Sequence, residues 1–169
     1  MRVLGIDPGT VTLGYGVVEE KEGELALVDY GALTTPPNTP LTQRLHILYR
    51  GLLEIIARYE PSAAAIEEPF VAKNVRSALA VGQAMGMIIV AAAEKGVPTY
   101  QYTPTQVKQA VASYGRSGKE QVQEMVRIQL GLPSIPQPSD AADALAVAIC
   151  HIQEMHHARV LRGEIREEK

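Results

Sequence analysis

Apolar and polar positions divide the chain into short segments from its first residues. Val3, Leu4 and Ile6 fill an apolar run that turns polar at Asp7; Pro8-Gly9 breaks it, and a second run covers 12–19. Lys21-Glu22-Gly23 marks another turn before a third run over 24–33. Three successive antiparallel strands are expected. After a loop over 34–40, Leu41, Leu45, Leu48, Leu52, Ile55 and Ile56 recur at helical spacing and predict a helix ending near Tyr59. Residues 62–67 form a short apolar run of the kind buried in the middle of a sheet. A long helix over 74–95 capped by Gly96, a fifth strand over 97–102, and helices over 105–114 and 119–130 joined through Gly115 and Gly118 follow. A Pro-rich loop over 132–139 leads into a last helix over 140–157.

Three strands followed by alternating helix and strand predict an α/β fold, a five-stranded mixed sheet flanked by helices. At 169 residues, 46% hydrophobic and 21% charged, the chain has the composition of one soluble globular domain, which excludes disorder. Residues 1–157 form that domain and 158–169 a charged tail. The single cysteine, Cys150, can form no internal bridge and has no second thiol for a zinc pair, so it reads as a small buried hydrophobe in a reducing setting. The N-terminus turns polar too soon for a secretory signal, which predicts a cytoplasmic protein. Residues 77–93 carry no charge, but Gly82, Gln83 and Gly86 dilute them, and a buried helix is expected there instead of a membrane span.

Acidic residues at the ends of apolar segments carry the chemistry. Asp7 ends the first strand where Pro8-Gly9 turns the chain away; alone, it reads equally as turn chemistry. Glu67 ends a second apolar strand in the same way. Glu68 competes with it, and because side chains alternate along a strand only one of the two points with Asp7. Ser139 is a candidate N-cap, Asp140 lies in the first helical turn, and Asp143 follows three residues later on the same face among Ala142, Ala144, Leu145 and Ala146. An inward-facing acid needs a partner, and four acids with no Lys or Arg close by in sequence point to a divalent cation. All-oxygen donors favour Mg²⁺ or Mn²⁺ over Zn²⁺, and the chemistry that uses such clusters is two-metal phosphoryl transfer.

The net charge of −3 conceals an uneven distribution. Residues 71–139 hold seven basic and three acidic side chains, while the flanking segments are acidic. A basic middle suits a phosphate-bearing partner, although scattered surface charge would look the same.

Gly5-Ile6-Asp7-Pro8-Gly9, Ala65-Ile66-Glu67-Glu68, Phe70-Val71-Ala72-Lys73-Asn74, Gln106-Val107-Lys108-Gln109 and Asp140-Ala141-Ala142-Asp143-Ala144-Leu145-Ala146 occur in this order and spacing. Together they resemble the RuvC family of bacterial Holliday-junction resolvases, over residues 1 to about 157. The resemblance implies a ribonuclease-H-like fold, a homodimer, and Mg²⁺-dependent paired nicking of four-way DNA junctions with two ions per site and Mn²⁺ as a substitute. It implies that Asp7, Glu67, Asp140 and Asp143 are the catalytic, metal-holding carboxylates. Phe70 matches an aromatic that packs on junction bases, and Lys108 and Lys119 match residues that support catalysis and phosphate binding. Lys73 and Arg76 complete the basic stretch, and a branch-migration motor of RuvA and RuvB is the implied partner.

Two other readings compete. Gly5-Ile6-Asp7-Pro8-Gly9-Thr10 followed by Leu13-Gly14-Tyr15-Gly16 imitates the phosphate-binding hairpin of sugar-kinase and actin-like ATPases, but 169 residues supply one lobe where those enzymes need two. A non-catalytic ribonuclease-H-like DNA-binding module leaves Glu67 and Asp143 without a reason to be charged. For assembly, the 74–95 helix spreads apolar residues over more than one face. Ala80, Gly82, Ala84 and Gly86 would admit a second helix, and Met85 and Ile89 would face it in a two-fold dimer.

Overall fold

Alternation along the first strand sets up two cores. In a computed structural model, which describes residues 1–68, 75–112, 115 and 118–163, β1 (Arg2–Asp7) turns Leu4 and Ile6 to one side of a sheet and Val3, Gly5 and Asp7 to the other. β2 (Thr12–Lys21) and β3 (Glu24–Thr34) continue the sheet antiparallel from β1, while β4 (Ala63–Glu67) and β5 (Thr99–Tyr102) extend it in parallel on the other edge. The order is β3-β2-β1-β4-β5, the mixed five-stranded sheet expected from the sequence.

Helices cover both faces. On the Leu4 and Ile6 side, α1 (Leu41–Tyr59) buries Leu48, Leu52, Ile55 and Ile56, and α2 (Val75–Glu94) adds Ile88, Ala91 and Ala92. On the other side lie α3 (Pro104–Ala112), α4 (Lys119–Gln129) and α5 (Ser139–Leu161). Most of α5 from Ala141 to Ile152 is buried, so it is the central element of that layer.

α5 lies directly on β1 and β2 because glycines face it. A Cβ on Gly5 would stand 1.9 Å from the Ala144 carbonyl oxygen, and one on Gly14 would stand 2.1 Å from that of Asp140. Alanines on the helix and glycines on the strands bring the two backbones together more closely than any larger pair could. The Tyr102 hydroxyl and His151 Nδ1, 2.7 Å apart, tie β5 to the same helix. Burial holds the His151 pKa down at about 4, so the imidazole is neutral. Burial likewise pushes the Cys150 thiol up to about 12, in keeping with its reading as a buried hydrophobe.

Several sequence expectations change. Pro138, not Ser139, occupies the N-cap of α5: its extended backbone (φ −70°, ψ 170°) already aims its carbonyl at the Ala141 and Ala142 amides, and no side chain caps the helix. α5 also runs on to Leu161 instead of ending at His157. The expectation that the long apolar helix is buried holds for one face only, that of Ala84, Ile88, Ala91 and Ala92. α2 is long and apolar enough to cross a membrane by length and composition, yet only 22% of that window is buried. Val75, Leu79 and Val90 are 73%, 64% and 59% exposed, and with the exposed Gly82 and Gly86 they share one face. The small residues therefore do not act together: Ala84 is fully buried on the opposite face, and Met85 and Ile89 pack against this chain's own core.

Because the Gly14 approach leaves no room for a methyl group, Gly14→Ala should destabilise the fold by about 2–3 kcal/mol. Chemical denaturation should show the midpoint falling; an unchanged midpoint would mean that α5 tolerates lifting off the sheet.

Candidate active site

The paired strand ends generate the site. Gly5 lies beside Ala65 and Ile6 beside Ile66 in the parallel β1–β4 register, which leads Asp7 and Glu67 to adjacent ends on the α5 face. Asp7 is also the register partner of Gly14 on β2, and the Asp140 backbone sits over Gly14. Asp140 is thereby brought to the Asp7 end of the sheet, and Asp143 follows one turn along α5.

The four acids act on one another. Burial, followed by the negative charges of Glu67, Asp143 and Asp140, raises the Asp7 pKa to about 7. Burial and then Asp143 raise Glu67 to about 7, against the opposing pull of Lys119 and Lys108. Lys119, the first residue of α4, donates from Nζ to Asp143 Oδ2 at 2.6 Å, and this hydrogen bond raises the lysine pKa. Glu67, Lys108, Lys119 and Asp143 line a cleft of about 230 Å³, with Val107 and Val122 among its apolar walls.

The other predicted residues are placed differently. Arg76 lies exposed in the first turn of α2 and is not among the residues lining the cleft. Phe70 and Lys73 lie outside the described residues. Gly118 at the N-cap of α4 provides no side-chain cap for the helix.

The donor set fits a hard divalent cation. It consists of carboxylate oxygens alone, and the mutual repulsion at Asp7 and Glu67 marks a cluster short of positive charge. Among the described residues, no three His, Cys, Asp or Glu side chains are gathered so that they could hold an ion as they stand. The nearby positive charge is instead the Lys119 ammonium on Asp143. The sequence missed this pairing, because Lys119 and Asp143 are 24 residues apart and meet only through the packing of α4 on α5. It also missed the glycine bed under α5, whose signal was glycines at alternate strand positions together with a helix rich in alanine.

A sheet in this order, with helices on both faces and acids at the ends of adjacent central strands, belongs to the ribonuclease-H-like class. The family profile described as crossover junction endodeoxyribonuclease RuvC matches residues 3–151. The chain belongs to the RuvC family, and membership implies an endonuclease that uses divalent-metal catalysis. The crossover junction endodeoxyribonuclease RuvC of Chloroflexus aggregans is 60% identical over 151 residues, covering 89% of this chain and 92% of the relative. The Thermus thermophilus RuvC structure superposes with a TM-score of 0.86 at 43% identity, covering 94% of this chain and 97% of that one. T. thermophilus RuvC in complex with a Holliday junction substrate gives 0.89 at 43% identity, covering 94% and 96%.

The raised carboxylates predict how the metal-free protein responds to pH. Between the ordinary carboxylate value of about 4 and the folded value near 7, the folded chain keeps protons that the unfolded chain releases. Stability from these groups is therefore fully present at low pH and lost as pH rises through that window. At pH 8 without metal, Asp7→Asn should be more stable than the wild type by about 2 kcal/mol, and at pH 4 the difference should vanish. Thermal melts of both proteins across this range check the sign.

Proposed function

We propose that the chain resolves four-way DNA junctions by paired hydrolytic nicks, with Asp7, Glu67, Asp140 and Asp143 holding two Mg²⁺ ions. The observation that carries this reading is the meeting of acids from β1, β4 and α5 beside a cleft that also presents Lys108 and Lys119, in a chain of the RuvC family. When bound, the ions supply activation of water and neutralisation of the leaving oxygen, and Mn²⁺ substitutes for Mg²⁺. Strand register and the bed of α5 bring the backbones that carry the acids to one end of the sheet, from which their side chains would turn to the ions. Lys108 and Lys119 hold phosphate at the cleft, with Arg76 and Lys73 extending the basic surface and Phe70 stacking on junction bases. The products are ligatable 5′-phosphate and 3′-hydroxyl ends.

Two copies pair through the exposed face of α2. Val75, Leu79 and Val90 supply the apolar contact, while Gly82 and Gly86 let the helices approach, since a Cβ at either glycine would meet nothing within 4 Å. A two-fold pair matches the two-fold symmetry of a four-way junction and sets two sites on strands of like polarity. Work on recombining DNA in the bacterial cytoplasm, with RuvA and RuvB as the branch-migration partners, completes the reading.

Incubating the purified chain with a labelled four-way junction and with linear duplex, in Mg²⁺ or Ca²⁺, tests the proposal: Mg²⁺ should support symmetric nicking of the junction, and cleavage of neither substrate would refute it. Asp7→Asn, Glu67→Gln, Asp140→Asn and Asp143→Asn should each lower nicking by at least about 100-fold while junction binding persists. Loss of binding in proportion to activity would contradict the division between acids and basic surface. Junction affinity should fall steeply with salt, and Lys108→Ala should reduce the logarithmic slope by about 0.9. Leu79→Glu and Val90→Glu should give monomers by light scattering that nick without pairing the cuts; dimers of either variant would place the interface elsewhere.

A further inference from the structure

We propose that Lys119 is a built-in counter-ion that occupies Asp143 until a divalent cation displaces it, and that the displaced ammonium then turns to the phosphate of the DNA. This rests on the reading of the acid cluster as a metal site. Nζ of Lys119 stands 2.6 Å from Asp143 Oδ2, the distance of a charge-assisted hydrogen bond. The two ends of the pair differ in freedom. The lysine side chain is 59% exposed and its flexible stem can swing away, whereas the Asp143 side chain is 21% exposed and rides on the buried helix α5.

An ammonium carries one charge on three donors and can satisfy one carboxylate of such a cluster. A divalent cation carries twice the charge and takes several oxygens at once, so it outcompetes the lysine once acids from different elements turn toward it. The Lys119 ammonium already sits on one acid of the group. Lys119 does not leave the cleft when it releases Asp143. Lys108 lines the same cleft, so the release adds a second positive charge where a phosphate would enter. Metal and DNA are then coupled through one side chain, each favouring the other's binding.

Electron paramagnetic resonance of free Mn²⁺, titrated with metal-stripped, DNA-free protein, tests the competition without any cleavage. Lys119→Met should bind Mn²⁺ about fivefold more tightly than the wild type, the scale of an ion pair of this exposure. Lys108→Met, which removes a charge from the same cleft, should change the affinity by less than about twofold. Asp7→Asn should lose most of the binding. Lys119→Gln should repeat the Lys119→Met result, which guards against a folding defect in either variant. Equal or weaker binding by both Lys119 variants would overturn the proposal, as would a Lys108→Met gain of the same size, since the effect would then come from the general field and not from the contact. If wild type and Asp7→Asn took up Mn²⁺ alike, the metal-site reading itself would fail, and the counter-ion role with it.

Discussion

The structure depends on the contact of one helix with one pair of strands. α5 rests on β1 and β2 with no side chain between the backbones at Gly5 and Gly14, where even a methyl group would collide with a carbonyl oxygen of the helix. This contact sets the depth of α5 and the rotation at which it sits. It also carries Asp140 to the end of β1 and leaves Asp143 on the half-buried flank of the same helix. Larger residues at the two glycine positions would raise α5 and widen the spacing of the acids, which gives these glycines an electrostatic consequence beyond packing. The hydrogen bond between Tyr102 and His151 fastens the far side of the same layer.

The close packing concentrates negative charge. Asp7 and Glu67 are driven up to about 7 chiefly because burial removes water from them, and the neighbouring acids add to the effect. A fold that needed only stability would replace these residues with neutral ones, because raised carboxylates weaken the folded state at neutral pH. Their presence fits a cluster that meets a cation in use. Lys119 relieves one of the acids through Asp143, and the rest of the charge remains unmatched by any contact of comparable closeness among the described residues.

Much of the architecture could be read from the sequence because it rests on local patterning. The strand alternation around Val3 to Asp7, the helical spacing from Leu41 to Ile56 and the apolar run ending at Glu67 each predicted an element near its observed bounds. The positions of Asp7 and Glu67 were legible for the same reason, since a charged residue closing an apolar strand stands out in one dimension. Whatever depended on tertiary distance was not legible. The Lys119–Asp143 pair joins two helices, and the glycine bed requires knowing which strand face receives α5. The sequence named Met85 and Ile89 for a contact through α2; both are partly buried against this chain's own core, whereas Leu79 and Val90 are exposed, a difference hidden in one dimension because apolar residues surround that helix. The α5 N-cap went to Ser139 because its side chain suits the role, whereas the backbone of Pro138 already filled it.

The central claim is that close packing of α5 on the sheet brings acids from three elements to one end of it, where we propose that they hold a cation. A crystal structure of the chain soaked in Mn²⁺, with anomalous differences recorded at the manganese edge, tests it most directly. The account predicts anomalous peaks bounded by Asp7, Glu67, Asp140 and Asp143 while α5 stays on Gly5 and Gly14. Peaks elsewhere, or none at this end of the sheet at saturating Mn²⁺, would contradict it.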